Sequence, residues 1–330
     1  KLCDGKCPML DDNGLCEIHK NLGEDYLGVV CKQFPRYSEY YGTIKESGIG
    51  LACEEAARII LSENRPFSME TAACDEEYEP SSEYDSSFAL QIFAAREAVF
   101  KILAKESLSI HEKLIVILDM GSKIQQCINT DEYDNIKSVV NDYLKEGIAH
   151  TLDETRNLSD SGQFEDISLQ QGIRQILYPY EEMEVLNPEW EVILKDIIDS
   201  LFEQMSDEEY NILNEEFGTY MVSRAYEYRQ LLEYLVFRYF AKSIYDYDFL
   251  GKCQMLVTNF FVIRQMDIIR WLDNHREYSF KDRMDVVHIF SRQVEYSEDN
   301  IENLYEDFIF DDIFKTDSLI AILWIDSENI

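Results

Sequence analysis

Residues 248–273, DFLGKCQMLVTNFFVIRQMDIIRWLD, form the stretch that decides the fold. The stretch is long and rich in apolar residues, and its apolar centre, MLVTNFFVI, is too short to cross a bilayer. Such a segment is typical of a helix buried in a protein core. The preceding stretch, residues 219–245, is also long and apolar-rich. Two such stretches in succession predict a core built from helices.

Signals for helix starts recur on both sides of this core. Residues whose side chains cap helix N-termini stand ahead of apolar residues at helical spacing, and one start has Pro at the favoured first position. The predicted starts are Ser86 before Phe88, Ser109 with Glu112, Asn187 before Pro188, Ser206 with Glu209, Ser279 with Asp282, and Ser297 before Ile301. Convincing alternating strands between turn signals are absent. The predicted fold class is therefore all-α, a multi-helix body with a small loop-rich N-terminal cysteine module.

At 330 residues the chain is long enough for about two domains or one large one. We predict two parts. Residues 1–62 hold the cysteine module, and residues 63–330 hold the helical domain, for which a further division is suggested near residues 151–187. Two breaks in the helical pattern look like linkers, residues 64–85 and residues 157–188. No internal repeat of fixed period is visible.

The net charge limits the classes of partner. The chain has 30 Lys and Arg against 65 Asp and Glu, a formal net charge of −35. Such a surface repels phosphate backbones and anionic lipids, so we expect neither nucleic acid nor a membrane as a partner. The sequence contains no G-x-G-x-x-G or Walker-type loop, so a cofactor would have to be held in another way. No signal peptide is visible, and we expect a cytoplasmic protein.

Cysteines cluster at the start of the chain, in KLCDGKCPMLDDNGLCEIHKNLGEDYLGVVC, residues 1–31. Their spacing is C-x3-C-x8-C-x14-C, and Cys53 follows further along. In the cytoplasm clustered cysteines more often bind metal or react than form disulfides. An isolated cysteine is better explained as a small apolar filler, as we expect for Cys74, Cys127 and Cys253. Four cysteines in a segment too short to bury them favour a metal site.

The spacing leaves the kind of metal open. Structural zinc sites usually contain two close pairs of ligands, and only Cys16 and His19 form such a pair here. Zinc held by Cys7, Cys16, His19 and Cys31 is one interpretation. An iron-sulfur cluster, which takes thiolate ligands and tolerates wide spacings, is the other.

Two segments carry a series of short motifs: GKCPMLDDNGLCEIHKNLGEDYLGVVCKQFPR, residues 5–36, and GLACEEAARIIL, residues 50–61. The motifs are of the C-P-[FL]-L, G-L-C-x-I, L-G-x-x-x-L, C-x-x-[YF]-P-R and C-P/E-E-A-A-R types. In these motifs the chain resembles the flagellin lysine-N-methylase family. Two later segments stand where family segments are expected, LLEYLVFRYF at residues 231–240 and SRQVEYSEDNIENL at residues 291–304. In the last of these Tyr296 replaces the His expected after the glutamate.

The resemblance implies an enzyme, a protein-lysine N-methyltransferase that uses S-adenosylmethionine to methylate lysines of flagellin. It also implies a [4Fe-4S] cluster, with Cys7, Cys16, Cys31 and Cys53 as its candidate ligands. The family has a further cysteine-rich segment upstream of these motifs. If that segment supplies ligands, we expect this chain by itself to hold no complete cluster.

The resemblance implies that Arg36 corresponds to the arginine of the C-x-x-[YF]-P-R motif. Arg36 is therefore a candidate for binding the cofactor. Its guanidinium could stabilise a negatively charged thiolate cluster, hold a cofactor carboxylate, or form an ordinary surface ion pair. The tyrosines of RYSEYYG, residues 36–42, could line a channel for a lysine side chain. We favour the interpretation that Tyr37, Tyr40 and Tyr41 pack the module against the helices.

The catalytic base is not identified by any motif. Methyl transfer requires a neutral amine, whereas free lysine has a pKa of about 10.4, so the site must desolvate the amine or accept its proton. Two other functions stay open. The cysteine module could belong to a non-enzymatic metal-binding or iron-sulfur interaction protein, or to a redox carrier.

Overall fold

The computed structural model describes residues 7–73, 85–160 and 167–328. Its N-terminal part contains three short helices and a hairpin of two antiparallel strands. These elements are α1 (Glu17–Leu22), α2 (Val29–Gln33), β1 (Arg36–Tyr41), β2 (Ile44–Ile49) and α3 (Glu54–Leu61). The sequence pattern does not predict this hairpin, which adds two short strands to the otherwise helical fold.

The hairpin is fixed by contacts that a sequence pattern does not reveal. Its two-residue turn places Gly42 at a φ of 61°, a conformation that suits glycine and the twist of a hairpin. Strand β2 is tied to the helical body because Glu46 accepts hydrogen bonds from both terminal nitrogens of Arg96, one of them at 2.7 Å. Strand β1 is tied to it by an ion pair of 3.1 Å between Glu39 and Lys242.

The prediction of an all-α, multi-helix body is confirmed. Its helices follow one another with short connections from residue 86 onwards. They are α4 (Ser86–Leu103), α5 (Ile110–Asn129), α6 (Ile136–Asp142), α7 (Ile148–Asp160), α8 (Leu169–Glu181), α9 (Pro188–Ile197), α10 (Asp207–Met221), α11 (Ala225–Tyr239), α12 (Ser243–Asp246), α13 (Phe249–Asp273), α14 (Phe280–Val294), α15 (Glu298–Phe310) and α16 (Thr316–Glu328).

Helix α13 is the centre of the body, as its apolar sequence predicts. It is buried along nearly its whole length and packs against α5, α8, α9, α11 and α14. The approach to α5 is close, since a Cβ on Gly121 would lie 2.5 Å from the sulfur of Cys253. Among the described residues no helix has the length and apolarity needed to cross a membrane.

The predicted helix starts are confirmed in all but one detail. Complete capping boxes form at Ser109, Ser206 and Ser279. The side chains at the N-caps of α9 and α15 accept backbone hydrogen bonds as expected. Helix α4 is capped by Asp85 rather than Ser86, because the Asp85 carboxylate accepts from two backbone N–H groups. Local capping chemistry thus sets these ends.

The interpretation of residues 157–188 as a linker was wrong over α8. This helix is capped by Ser168 and buries an apolar face on the core, and the hydroxyl of Tyr180 hydrogen-bonds to Thr258 and Asn259. Of the other predicted linker, residues 64–73 are described and have no regular structure, and Cys74 lies outside the described residues. The division at residue 62 stays a prediction, although Leu51 and Leu61 belong to the same hydrophobic cluster as the body.

A cluster of buried charges, Glu227, Asp267 and Arg283, joins α11, α13 and α14; we call it the buried ion cluster. The Arg283 guanidinium donates to Glu227 at 3.0 Å and to Asp267 at 2.6 Å. Tyr228 and Tyr278 donate their hydroxyls to the same Asp267 carboxylate. Burial raises the pKa of Asp267, and Arg283 opposes that rise. Inside the cluster, opposite charges and tyrosine hydroxyls take the place of water around each charged group. These contacts offset the high cost of burying the charges.

Candidate functional site

Three segments that lie far apart in the sequence meet where the N-terminal module packs on the body. Helix α3 lies against both α11 and α14. The backbone N–H of Leu51 donates to the Tyr234 hydroxyl at 3.4 Å, and Gly50 N–H donates to the Pro35 carbonyl at 2.8 Å. We call this region the junction; it comprises Phe34, Tyr37 and Cys53 of the module, Tyr234, Arg238 and Tyr239 of α11, and Glu295 and Tyr296 at the end of α14.

Glu295 is the buried carboxylate of the junction, with only 6% of its surface exposed. It follows the last residue of α14, and its Oε2 accepts hydrogen bonds of 2.9 Å from the hydroxyls of Tyr234 and Tyr239. The guanidinium of Arg238 lies 3.1 Å from the same oxygen. Its Oε1 is buried and has no hydrogen-bond partner among the described residues. A buried carboxylate oxygen normally has a partner, so this oxygen is an unpaired acceptor of the junction.

The charges of the junction are fixed by their surroundings. Burial, and then the charge of Glu295, raises the pKa of Tyr234 and of Tyr239 well above the usual value, so both phenols stay protonated donors. Burial alone would lower the pKa of Arg238, but Tyr239 and Glu295 outweigh it, and the net shift is upward. Arg238 therefore stays cationic, and it stacks over the ring of Tyr37 at 4.3 Å.

Two aromatic rings mark where the junction reaches solvent. Phe34 and Tyr296 are 44% and 49% exposed, and their centroids lie 6.3 Å apart in an edge-on arrangement. Burial raises the pKa of Tyr296; Arg238 opposes the rise, and Glu295 and Cys53 add to it. Two half-exposed aromatic rings, one of them next in sequence to a carboxylate with an unpaired oxygen, suit a ligand with an alkyl stem and a cationic end.

The four candidate ligand cysteines occupy different elements. Cys7 is exposed and precedes α1, Cys16 is half-buried and is the N-cap residue of α1, Cys31 is exposed in α2, and half-buried Cys53 is the N-cap residue of α3. In the described part of the chain no three Cys, His, Asp or Glu side chains are grouped so that they could hold a metal ion. The arrangement does not fit a preassembled cluster site, and the ligand set stays a prediction.

The body of the chain matches a known family. Residues 96–322, which run from α4 to α16, match the family model described as the FliB lysine N-methylase C-terminal domain. The chain belongs to the FliB lysine N-methylase family. The match covers Tyr234, Arg238, Tyr239, Glu295 and Tyr296, five of the eight junction residues.

Curated relatives of this FliB family member match over short stretches. The chain is 37% identical over 59 residues, 18% of its length, to the flagellar biosynthetic protein FliU of Salmonella muenchen. It is equally similar over 59 residues to the lysine-N-methylases of Salmonella typhimurium and Salmonella choleraesuis. The chain covers 35% of the length of the first relative and 15% of the other two. No solved structure matches the chain.

The other candidate residues have separate surroundings. Arg36 is exposed at the start of β1, where its guanidinium approaches the Lys32 carbonyl at 3.5 Å. Tyr41 is buried in the hydrophobic core and Tyr37 lies against Arg238, so both pack the module onto the helices. Cys127 and Cys253 pack in or against the core, as expected of apolar fillers, whereas Cys3 lies outside the described residues.

The sequence of this FliB family member did not by itself point to Glu295 or Arg238. It also did not point to Tyr234 and Tyr239, whose hydroxyls hydrogen-bond to Glu295. The two segments containing them had been singled out by resemblance, but nothing in their spacing indicates that they meet. Charged residues in an apolar helical stretch were the available signal, because a buried charge requires a partner.

Proposed function

We propose that this protein methylates lysine side chains of flagellin, with S-adenosylmethionine as the methyl donor. Membership of the FliB lysine N-methylase family supports the reaction class, and the name of the flagellar biosynthetic relative supports the substrate. The observation that carries the proposal is the junction, where a buried carboxylate with an unpaired oxygen directly precedes Tyr296, whose half-exposed ring contacts that of Phe34.

The chemistry requires a proton acceptor. The substrate ε-ammonium first loses a proton, because only the neutral amine has a lone pair. That lone pair attacks the sulfonium methyl group, the carbon–sulfur bond breaks, and the products are methyl-lysine and S-adenosylhomocysteine. We assign Glu295 Oε1 as the proton acceptor, since it is the carboxylate oxygen of the junction that has no hydrogen-bond partner among the described residues. Phe34 and Tyr296 would hold the lysine stem and stabilise its cation before transfer.

S-adenosylmethionine supplies an activated methyl group. The residues of this chain would bind and orient the donor molecule. Arg36 stands at the edge of the hairpin, two residues after Phe34, with its guanidinium exposed. We propose that this guanidinium binds the donor carboxylate, for which its planar pair of N–H groups is suited. The proposed reaction uses no step through an iron-sulfur cluster.

Incorporation of label tests the reaction class directly. Full-length protein, including any residues upstream of this chain, is incubated with methyl-labelled S-adenosylmethionine and flagellin from the same cell. We expect label in methyl-lysine after acid hydrolysis of the flagellin. A flagellin variant with its surface lysines replaced by Arg should take up no label. If neither flagellin nor any other protein of the cell is labelled, the enzyme proposal is wrong.

The cysteine assignment has its own test. Replacing Cys16 or Cys31 with Ser in the full-length protein should abolish the iron-dependent visible absorbance, because a thiolate ligand would be lost. Replacing Cys127 or Cys253 with Ser provides the matched control, since both pack in or against the core. These two variants should keep the absorbance and lose at most some stability. Loss of absorbance in the control variants alone would overturn the assignment.

A further inference from the structure

A cavity separate from the junction lies beside the first turns of α5 and α11, next to α13. Its volume is about 170 Å³. Two polar side chains from neighbouring helices line it, His111 of α5 and Arg264 of α13. The junction residues of α11 lie at the other end of that helix. Most of the cavity wall is apolar and is formed by Ile110, Met221, Val222, Ala225, Phe260 and the ring of Tyr228.

His111 and Arg264 are held in place by a buried carboxylate of α16. His111 Nε2 lies 2.6 Å from Asp326 Oδ2, and Arg264 Nε lies 3.9 Å from the same oxygen. Asn214 also fixes the guanidinium, since its side-chain and backbone oxygens accept from Arg264 Nε and Nη2, each at 3.1 Å. His111 and Arg264 are only 6% and 3% exposed. The imidazole and the guanidinium are therefore fixed close to each other.

Asp326 defines the charges of this group. Burial alone would raise the pKa of Asp326, but Arg264 and then His111 outweigh it and lower the pKa to about 2. An ionised carboxylate only accepts hydrogen bonds, so His111 Nε2 carries a proton and donates to Asp326. The other oxygen of Asp326 accepts from the side-chain amide of Asn214. Both carboxylate oxygens are thus occupied, and the charges of Asp326 and Arg264 balance each other.

One nitrogen of each cavity side chain is left over. His111 Nδ1 and Arg264 Nη1 form no hydrogen bond with any described residue, and neither nitrogen is sealed from solvent. Because both side chains are otherwise buried and line the cavity, these nitrogens are reached from it. The contacts with Asp326 would tie the helices together without a cavity, and protein interiors are normally close-packed. Apolar walls with a few converging polar groups are typical of a ligand site.

We propose that this cavity binds a small monocarboxylic acid with an apolar body. One carboxyl oxygen accepts from Arg264 Nη1, and the other shares a proton with His111 Nδ1, which leaves the site electrically neutral. No described residue that lines the cavity is an Asp or a Glu, so an ammonium group would find no counter-charge, and amino acids are excluded. A cavity of about 150 Å³ accommodates one benzene ring. The apolar body is therefore of about that size.

Calorimetric titration of the full-length protein tests the site, with benzoate, benzamide and benzylamine as separate probes of similar shape. We expect benzoate to bind and benzylamine not to bind. Benzamide should bind about ten-fold more weakly than benzoate or worse, because it cannot form the charge-assisted hydrogen bond with Arg264. His111→Gln should weaken benzoate binding by about ten-fold or more, because the amide can replace Nε2 as the donor to Asp326 but offers nothing in place of Nδ1.

A second variant fills the cavity and leaves its polar side chains in place. Ala225→Leu should abolish benzoate binding, whereas the matched control Ala149→Leu should not affect it, because Ala149 is exposed on α7. Benzoate should raise the unfolding temperature of the unsubstituted protein and of the control, but not of Ala225→Leu. Absence of benzoate binding, equal binding to Ala225→Leu, or preferred binding of benzamide or benzylamine would each overturn the assignment. None of these results bears on Glu295, whose replacement should leave benzoate binding unchanged.

Discussion

Glu295→Gln should lower the rate of lysine methylation by about a hundred-fold or more at neutral pH. The amide keeps the size of the side chain and can still accept hydrogen bonds from Tyr234 and Tyr239, but it cannot accept the proton of the substrate amine. General-base catalysis typically contributes a factor of this order. The measurement is the initial rate of label transfer to flagellin at saturating substrate, so that a change in kcat is separated from a change in KM.

Two phenol variants provide the control for this result. Tyr234→Phe and Tyr239→Phe each remove one hydrogen-bond donor to Glu295 and leave its charge in place, so each should lower the rate much less. Part of the lost activity of Glu295→Gln should return at high pH, where solution hydroxide can deprotonate the amine. Far-ultraviolet circular dichroism must show that the variant is folded at the assay temperature. A folded Glu295→Gln protein with unchanged kcat would exclude Glu295 as the base.

Arg283→Met should lower the free energy of unfolding by about 3–5 kcal/mol, the usual cost of removing one partner from a buried ion pair. Arg283, Glu227 and Asp267 are each no more than 1% exposed. The substitution leaves Asp267 buried without a counter-charge, whereas Glu227 keeps the guanidinium of Arg224, which donates to both of its oxygens. Chemical denaturation at neutral pH measures the loss. The deficit should shrink at acidic pH, because a carboxylate whose pKa is raised by burial destabilises the fold less once it is protonated.

Arg276→Met is the matched control for the buried ion cluster. Arg276 pairs with Glu216 at 2.6 Å, but their side chains are 55% and 43% exposed. An exposed pair contributes about 0–1 kcal/mol, so this variant should unfold at nearly the same denaturant concentration as the unsubstituted protein. Equal losses for the two variants would mean that Arg283 acts through packing volume rather than through its charge.

The sequence by itself determined the helical body, because the signals for helices are local. The apolar pattern of residues 248–273 predicts the buried helix α13, and capping boxes at Ser109, Ser206 and Ser279 predict helix starts that the structure confirms. Each signal depends on residues within one or two turns of each other. The resemblance to the flagellin lysine-N-methylase family also followed from short motifs, and the match of residues 96–322 confirms it.

Only the tertiary structure decided the candidate site and the strands. The hairpin of residues 36–49 depends on ion pairs to Arg96 and Lys242, which lie far away in the sequence. Glu295 becomes a candidate base only because α11 brings Tyr234, Arg238 and Tyr239 to it. Burial and partnership set the properties of a charged side chain, and both arise from packing between elements that no local pattern specifies.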